Sequence, residues 1–132
     1  MKTKLHPLFA ISLLFVPLLL DGCGGGAKVS MDTTAFDKAF KSGPADVQAA
    51  AAKASTAFKA EKLLEASDAL TETAKKGGLT QEQKDVALDM IVKIQTIMSV
   101  KPDKSDMKVF QATENAIAAL EGRPAVGVGI RR

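Results

Sequence analysis

The stretch LTQEQKDVALDMIVKIQTIMS (Leu79–Ser99) decides the fold class. Ala87, Met90, Ile91, Ile94, Ile97 and Met98 recur at helical spacing, and Leu88 and Val92 widen the apolar stripe beyond a narrow seam. Its start is punctuated: Thr80 and Gln83 have the spacing of a capping box, with Glu82 in the first turn to favour the helix dipole. Lys101-Pro102-Asp103 breaks it. The width of the stripe predicts that this is the central, most buried helix.

Working back from Leu79, Gly77-Gly78 is a stop preceded by the basic turn Lys75-Lys76. Before it, two apolar stripes follow one another: Val47, Ala50, Ala51, Ala54, Ala57 and Phe58, then Leu63, Leu64, Ser67, Leu70 and Ala74. No proline or glycine lies between Ala45 and Lys76, so only the change of stripe places a break, near Lys59–Lys62. Pro44 suits a first helical turn, and Asp46 complements the dipole. A shorter helix ending near Lys41 is predicted upstream, with Asp32, Thr33 and Thr34 as candidate caps and Phe36, Ala39 and Phe40 on its apolar face. Downstream of Leu79–Ser99, a last helix capped by Asp103 or Ser105 runs to about Glu121, with Met107, Phe110, Thr113, Ile117 and Leu120 facing inward. Gly122 and Pro124 stop it. The expected architecture is all-α: a small antiparallel helical bundle or stacked helical hairpins, with four main helices plus a short N-terminal helix. Residues 32–122 form this domain and residues 123–132 a loose tail.

Composition narrows the function classes. Of 132 residues, 18 are Lys or Arg and 15 are Asp or Glu, a net charge of +3, and the chain has no Trp or Tyr. The small excess is not a basic surface built for nucleic acid, and a platform for stacking bases or sugars is missing. His6 is the only His and Cys23 the only Cys, so an intramolecular disulfide is impossible. If the mature chain begins at Cys23, its domain has no imidazole base, no free thiol nucleophile and no Cys/His zinc set. No Gly-x-Ser-x-Gly elbow, phosphate loop or dinucleotide fingerprint is present. No catalytic residue, cofactor site or metal site is therefore expected, and no enzyme. Glu61, Glu65, Asp68 and Glu72 fall at i, i+4, i+7 and i+11, and Asp85 with Asp89 at i, i+4. They read as solvated helix faces; a cation-binding or acid/base patch is the alternative. The Ala-rich segment Val47–Phe58 reads as core, with an exposed docking groove as its alternative.

The N-terminus carries an address. Lys2 and Lys4 precede about 13 mostly apolar residues, Leu8–Leu20, the length of a signal-peptide core and short of the roughly 20 that span a bilayer. The run ends in Leu20-Asp21-Gly22-Cys23, followed by Gly24-Gly25-Gly26. Leu20-Asp21-Gly22-Cys23 resembles the lipobox of bacterial lipoproteins: an aliphatic residue, a small residue, Gly or Ala, then Cys. Asp21 is the one position that departs from the pattern. The resemblance implies that Leu20, Asp21 and Gly22 are read by the lipoprotein signal peptidase, that residues 1–22 are removed, and that Cys23 is acylated and holds the protein to membrane lipid. By the same resemblance, Gly24 directs the protein to the periplasmic face of the outer membrane rather than to inner-membrane retention. An ordinary secretory signal or an uncleaved anchor are the other readings of residues 1–22. Residues 23–31 read as a flexible tether.

The segment Ala50–Thr80 also distantly resembles a tetratricopeptide-type helix pair. It has small residues at Ala50, Ala54 and Ala66, an Ala-Phe-Lys-Ala-Glu-Lys turn region and a Gly-Gly-Leu-Thr exit. The usual aromatic positions and terminal Pro are absent, and no second copy recurs at about 34 residues. The functional expectation is a lipid-anchored, non-catalytic interaction or scaffold module of the bacterial cell envelope. It would be completed by a protein partner or a second copy over its Ala-rich or Met-rich face. A soluble periplasmic ligand-binding or chaperone-like bundle is the alternative, and it calls for an internal apolar cavity.

Overall fold

A computed structural model describes residues 28–125. They form five α-helices: α1 (Thr34–Ala39), α2 (Ala45–Lys59), α3 (Leu63–Lys75), α4 (Gln81–Val100) and α5 (Met107–Leu120). A single 3₁₀ turn, Pro102–Lys104, lies between α4 and α5, and there is no strand among the described residues. The chain is all-α, as its periodicity predicts. The signal segment, Leu20-Asp21-Gly22-Cys23, most of the tether and the last residues of the tail lie outside the described residues.

Local chemistry sets the helix ends. At the start of α4 the Thr80 hydroxyl accepts from the Gln83 backbone N–H (3.2 Å), and the Gln83 side chain accepts from the Thr80 N–H (3.0 Å). The Gln83 amide then donates onward to the carbonyls of Ala39 (3.0 Å) and Ser42 (3.3 Å), fixing α4 against the end of α1. α2 and α5 both finish in a Schellman motif. After α5, Gly122 (φ 68°) takes the left-handed position, and the N–H groups of Gly122 and Arg123 reach the carbonyls of Ala119 and Ala118. After α2 the same pair of bonds runs from Glu61 to Phe58 and from Lys62 to Ala57, with Glu61 at φ 55°. A glutamate thus stands where glycine is usual. The break predicted near Lys59–Lys62 is this motif. α5 begins later than the sequence suggests: the 3₁₀ turn takes up Pro102–Lys104, and Asp106, not Asp103 or Ser105, accepts from the Lys108 N–H (2.9 Å) as the cap.

Two antiparallel hairpins, α2–α3 and α4–α5, pack side by side, with α3 against α5. Lys101, just after α4, pairs with Glu61, just before α3, at 2.8 Å. That contact places the N-terminal ends of α3 and α5 at one end of the bundle, so these two helices run parallel. The short α1 fills the gap between α2 and α4, with Phe36 and Phe40 buried and their rings 4.6 Å apart. The Ser55 hydroxyl donates to Thr33 (3.0 Å), which donates to Asp37 (2.8 Å), and Lys59 reaches the same carboxylate at 2.9 Å. This chain of bonds ties α1 to α2. Burial of the Asp37 carboxyl opposes its ionisation. The hydroxyl chain from Ser55 through Thr33 and the Lys59 ammonium outweigh that effect and hold it below the ordinary carboxylate range.

Two expectations are corrected. The central helix is α3, not Leu79–Ser99. α4 supplies large buried side chains, Met90, Ile91, Ile94 and Ile97, but only α3 is flanked closely on both sides, by α2 and α5. Its buried positions are mostly small: Ala66, Ser67, Ala69, Thr73 and Ala74 beside Leu63 and Leu70. Its neighbours bury small residues too, Ala50, Ala51, Ala54 and Ala57 on α2 and Ala112, Ala116 and Ala118 on α5, and small residues are what allow two neighbours to approach one helix. The inward face of α5 also departs from the expected one, at Met107 and Phe110. Val109, Ala112, Thr113, Ala116 and Leu120 are buried, whereas Met107 is 69% and Phe110 48% exposed. Contact with α3 selects the alanines and leaves the two large residues outside.

Candidate interaction surfaces

The expected lipidation residue Cys23 and its recognition residues Leu20, Asp21 and Gly22 lie outside the described residues. The domain does place their attachment point. Val29 and Met31 are half-buried against the core, and Lys28, Val29 and Met31 share a hollow of about 290 Å³ with Glu61, Ile97, Val100 and Lys101. Lys93 donates to the Asp32 carbonyl at 3.2 Å, holding the entering segment on α4. The chain therefore enters at the end of the bundle formed by the α2–α3 turn, the C-terminus of α4 and the N-terminus of α5.

The acidic row is not one helix face. Glu61 belongs to the Schellman turn and pairs with Lys101, whose ammonium donates to it and lowers its pKa. Glu65, Asp68 and Glu72 do share a face of α3. With Ala49, Ala52, Thr56 and Ala60 of α2 they line an open groove of about 670 Å³. Lys53 lies 3.9 Å from Glu72 and Lys62 3.2 Å from Glu65, so two of the three carboxylates have cations beside them. Asp85 accepts from the Gln81 amide (2.7 Å) and Asp89 pairs with Lys93 (2.9 Å). No three His, Cys, Asp or Glu side chains gather as a metal site among the described residues.

The two readings of the Ala-rich segment divide between faces. Val47, Ala50, Ala51, Ala54, Ala57 and Phe58 are core, and the groove is floored by the opposite face. The core itself is filled: Phe58, Leu70, Ile91 and Ile94 are at most 1% exposed. Its hydroxyls are satisfied within their own helices, Ser67 by Leu63, Thr73 by Ala69 and Thr113 by Phe110. Asn115 Oδ1 is the one buried side-chain oxygen without a partner among the described residues.

No family model, curated protein or solved structure matches this chain. The surfaces must be read from their own chemistry. No helix among the described residues is long and apolar enough to cross a membrane. The large apolar side chains left exposed are Leu64, Val92, Val100, Met107 and Phe110. All but Val92 lie at the end where the chain enters: Leu64 in the first turn of α3, Val100 closing α4, and Met107 and Phe110 opening α5. Sequence reasoning missed this cluster, because its exposure depends on how α3 and α5 pack.

Proposed function

We propose that the protein is a lipid-anchored, non-catalytic helical interaction module of the bacterial cell envelope, held by acylated Cys23 on the periplasmic face of the outer membrane. The observation that carries the reading is Leu20-Asp21-Gly22-Cys23 at the end of a 13-residue apolar run, with Cys23 the single cysteine of the chain. A lone cysteine at that position has a role as a lipid carrier and none in an intramolecular disulfide. The helical domain supports the reading by lying close behind it, with Val29 and Met31 packed against its core. Two or three acyl chains hold a protein on a bilayer where one is marginal. The non-catalytic part rests on side-chain chemistry: beyond Cys23 the chain has neither imidazole nor thiol.

The test is expression in a bacterial host with an alkyne fatty acid in the medium. The parent protein is expected to take up label and to fractionate with membranes, and Cys23→Ser to lose both. An unlabelled parent, or a Cys23→Ser variant that still fractionates with membranes, would count against the anchor.

A further inference from the structure

The end of the bundle where the chain enters is both the apolar end and the end nearest Cys23. Only five positions separate Cys23 from Lys28 (28 − 23 = 5). Five residues span at most about 18 Å. A helix of the length of α4, 20 residues, is about 30 Å long. With Cys23 in the bilayer, the bundle cannot stand on its far end, at Lys76–Thr80 and Glu121, whereas it can stand on its entry end.

We propose that this end rests on the phospholipid surface, with the exposed Met107 and Phe110 of the first turn of α5 entering the headgroup region. The proposal rests on the reading of Cys23 as the anchor. An exposed aromatic and a methionine side by side at the start of α5 suit the boundary between headgroups and acyl chains. Lysines share this end of the bundle: Lys28 and Lys101 in the entry hollow, Lys62 just before α3, and Lys104 and Lys108 about the start of α5, with stems that can lie along apolar surface while the ammonium groups meet phosphate. Four carboxylates share this end. Glu61 is paired with Lys101, Glu65 with Lys62, and Asp106 is turned into its helix cap, which leaves Asp103. Lys28, Lys104 and Lys108 form no ion pair among the described residues. The opposite end has no exposed large apolar side chain among the described residues.

The test uses the full acylated protein reconstituted into phospholipid vesicles, with one cysteine introduced at a time. The Cys23 sulfur is in its thioether, so each new thiol is unique. Met107→Cys and Phe110→Cys report the docking end, Lys76→Cys the far end and Ala52→Cys the groove. Each carries an environment-sensitive fluorophore, and nitroxide lipids quench it. Circular dichroism checks the fold of every variant; Met107→Cys, at the more exposed position, carries the test if Phe110→Cys fails to fold. Quenching several-fold stronger at 107 and 110 than at 76 and 52 is expected. Co-sedimentation with vesicles but equal quenching at all four positions, or strongest quenching at 76 or 52, overturns the docking and leaves the anchor standing. Loss of co-sedimentation together with a free Cys23 thiol overturns both.

Discussion

Replacing Ala66 with leucine probes the feature that organises the bundle. Ala66 is fully buried on α3, the helix that has α2 on one side and α5 on the other. In free apolar space the three added carbons would contribute about 0.8 kcal/mol each. Around Ala66 the neighbouring helices approach through alanines, and room for an isobutyl group appears only if a helix moves away. Overpacking of this kind costs about 1–3 kcal/mol. With two helices held by one face each, we expect the upper half of that range, about 2–3 kcal/mol, a fall in Tm of about 8–24 °C for a domain of this size. Ala52→Leu is the matched control: the same chemical change, on an exposed position flooring the α2–α3 groove, where an effect within about 0.5 kcal/mol is expected. Both are compared with the parent in a mature chain carrying Cys23→Ser, by urea unfolding followed at 222 nm. Ellipticity is the natural signal because the chain lacks Trp and Tyr. If Ala66→Leu unfolds within 0.5 kcal/mol of the parent, or if Ala52→Leu is equally costly, the close packing of α3 is not what holds the two hairpins together.

Three further outcomes follow from single contacts. Asp37→Asn removes a carboxylate whose folded pKa lies below its ordinary 3.8. The parent's advantage should be fully present at pH 7, amount to no more than about 1 kcal/mol for so exposed a pair, and vanish as the pH falls through the folded pKa. Parallel unfolding curves between pH 7 and pH 2 check this, and a gap that widens in acid would contradict it. At Glu61, held at φ 55°, glycine should be more stable than alanine by about 0.5–1 kcal/mol, the reverse of their order inside a helix. Both variants lose the Lys101 pair, so their difference in urea midpoint isolates the backbone. Thr80→Ala opens the capping box and should cost about 1 kcal/mol in the same assay; no change would mean that Gln83 and its bonds to Ala39 and Ser42 hold the start of α4 alone.

Features written locally were legible in the sequence. The Thr80–Gln83 box, the Gly77-Gly78 and Gly122 stops and the change of stripe near Lys59–Lys62 each act within a few residues, and each appears where it is written; Pro44 marks the start of α2 as its extended N-cap rather than inside the first turn. The expected inward face of α5 held at Thr113, Ile117 and Leu120 and failed at Met107 and Phe110 for a reason of size. Met107 and Phe110 outrank Ala112 and Ala116 in hydrophobicity, but a helix lying against α3 needs small residues at the contact. The choice of α4 as the centre failed in the same way, since a broad apolar stripe measures how much a helix buries and not how many neighbours it can admit. The start of α5 shifted because Pro102 nucleates a 3₁₀ turn that consumes three residues before Asp106 can cap. The apolar entry end was only partly legible. Val100, Met107 and Phe110 lie within eleven residues, but that they stay exposed, and that Leu64 lies toward the same end, depends on how α3 and α5 pack.

The most direct test of the central claim is the intact mass and N-terminal peptide of the protein purified from bacterial membranes. A chain beginning at Cys23 and carrying diacylglycerol on its sulfur, with or without a further acyl chain on its amine, is the expected result. A chain that begins at another residue, or a Cys23 bearing a free thiol, would contradict it.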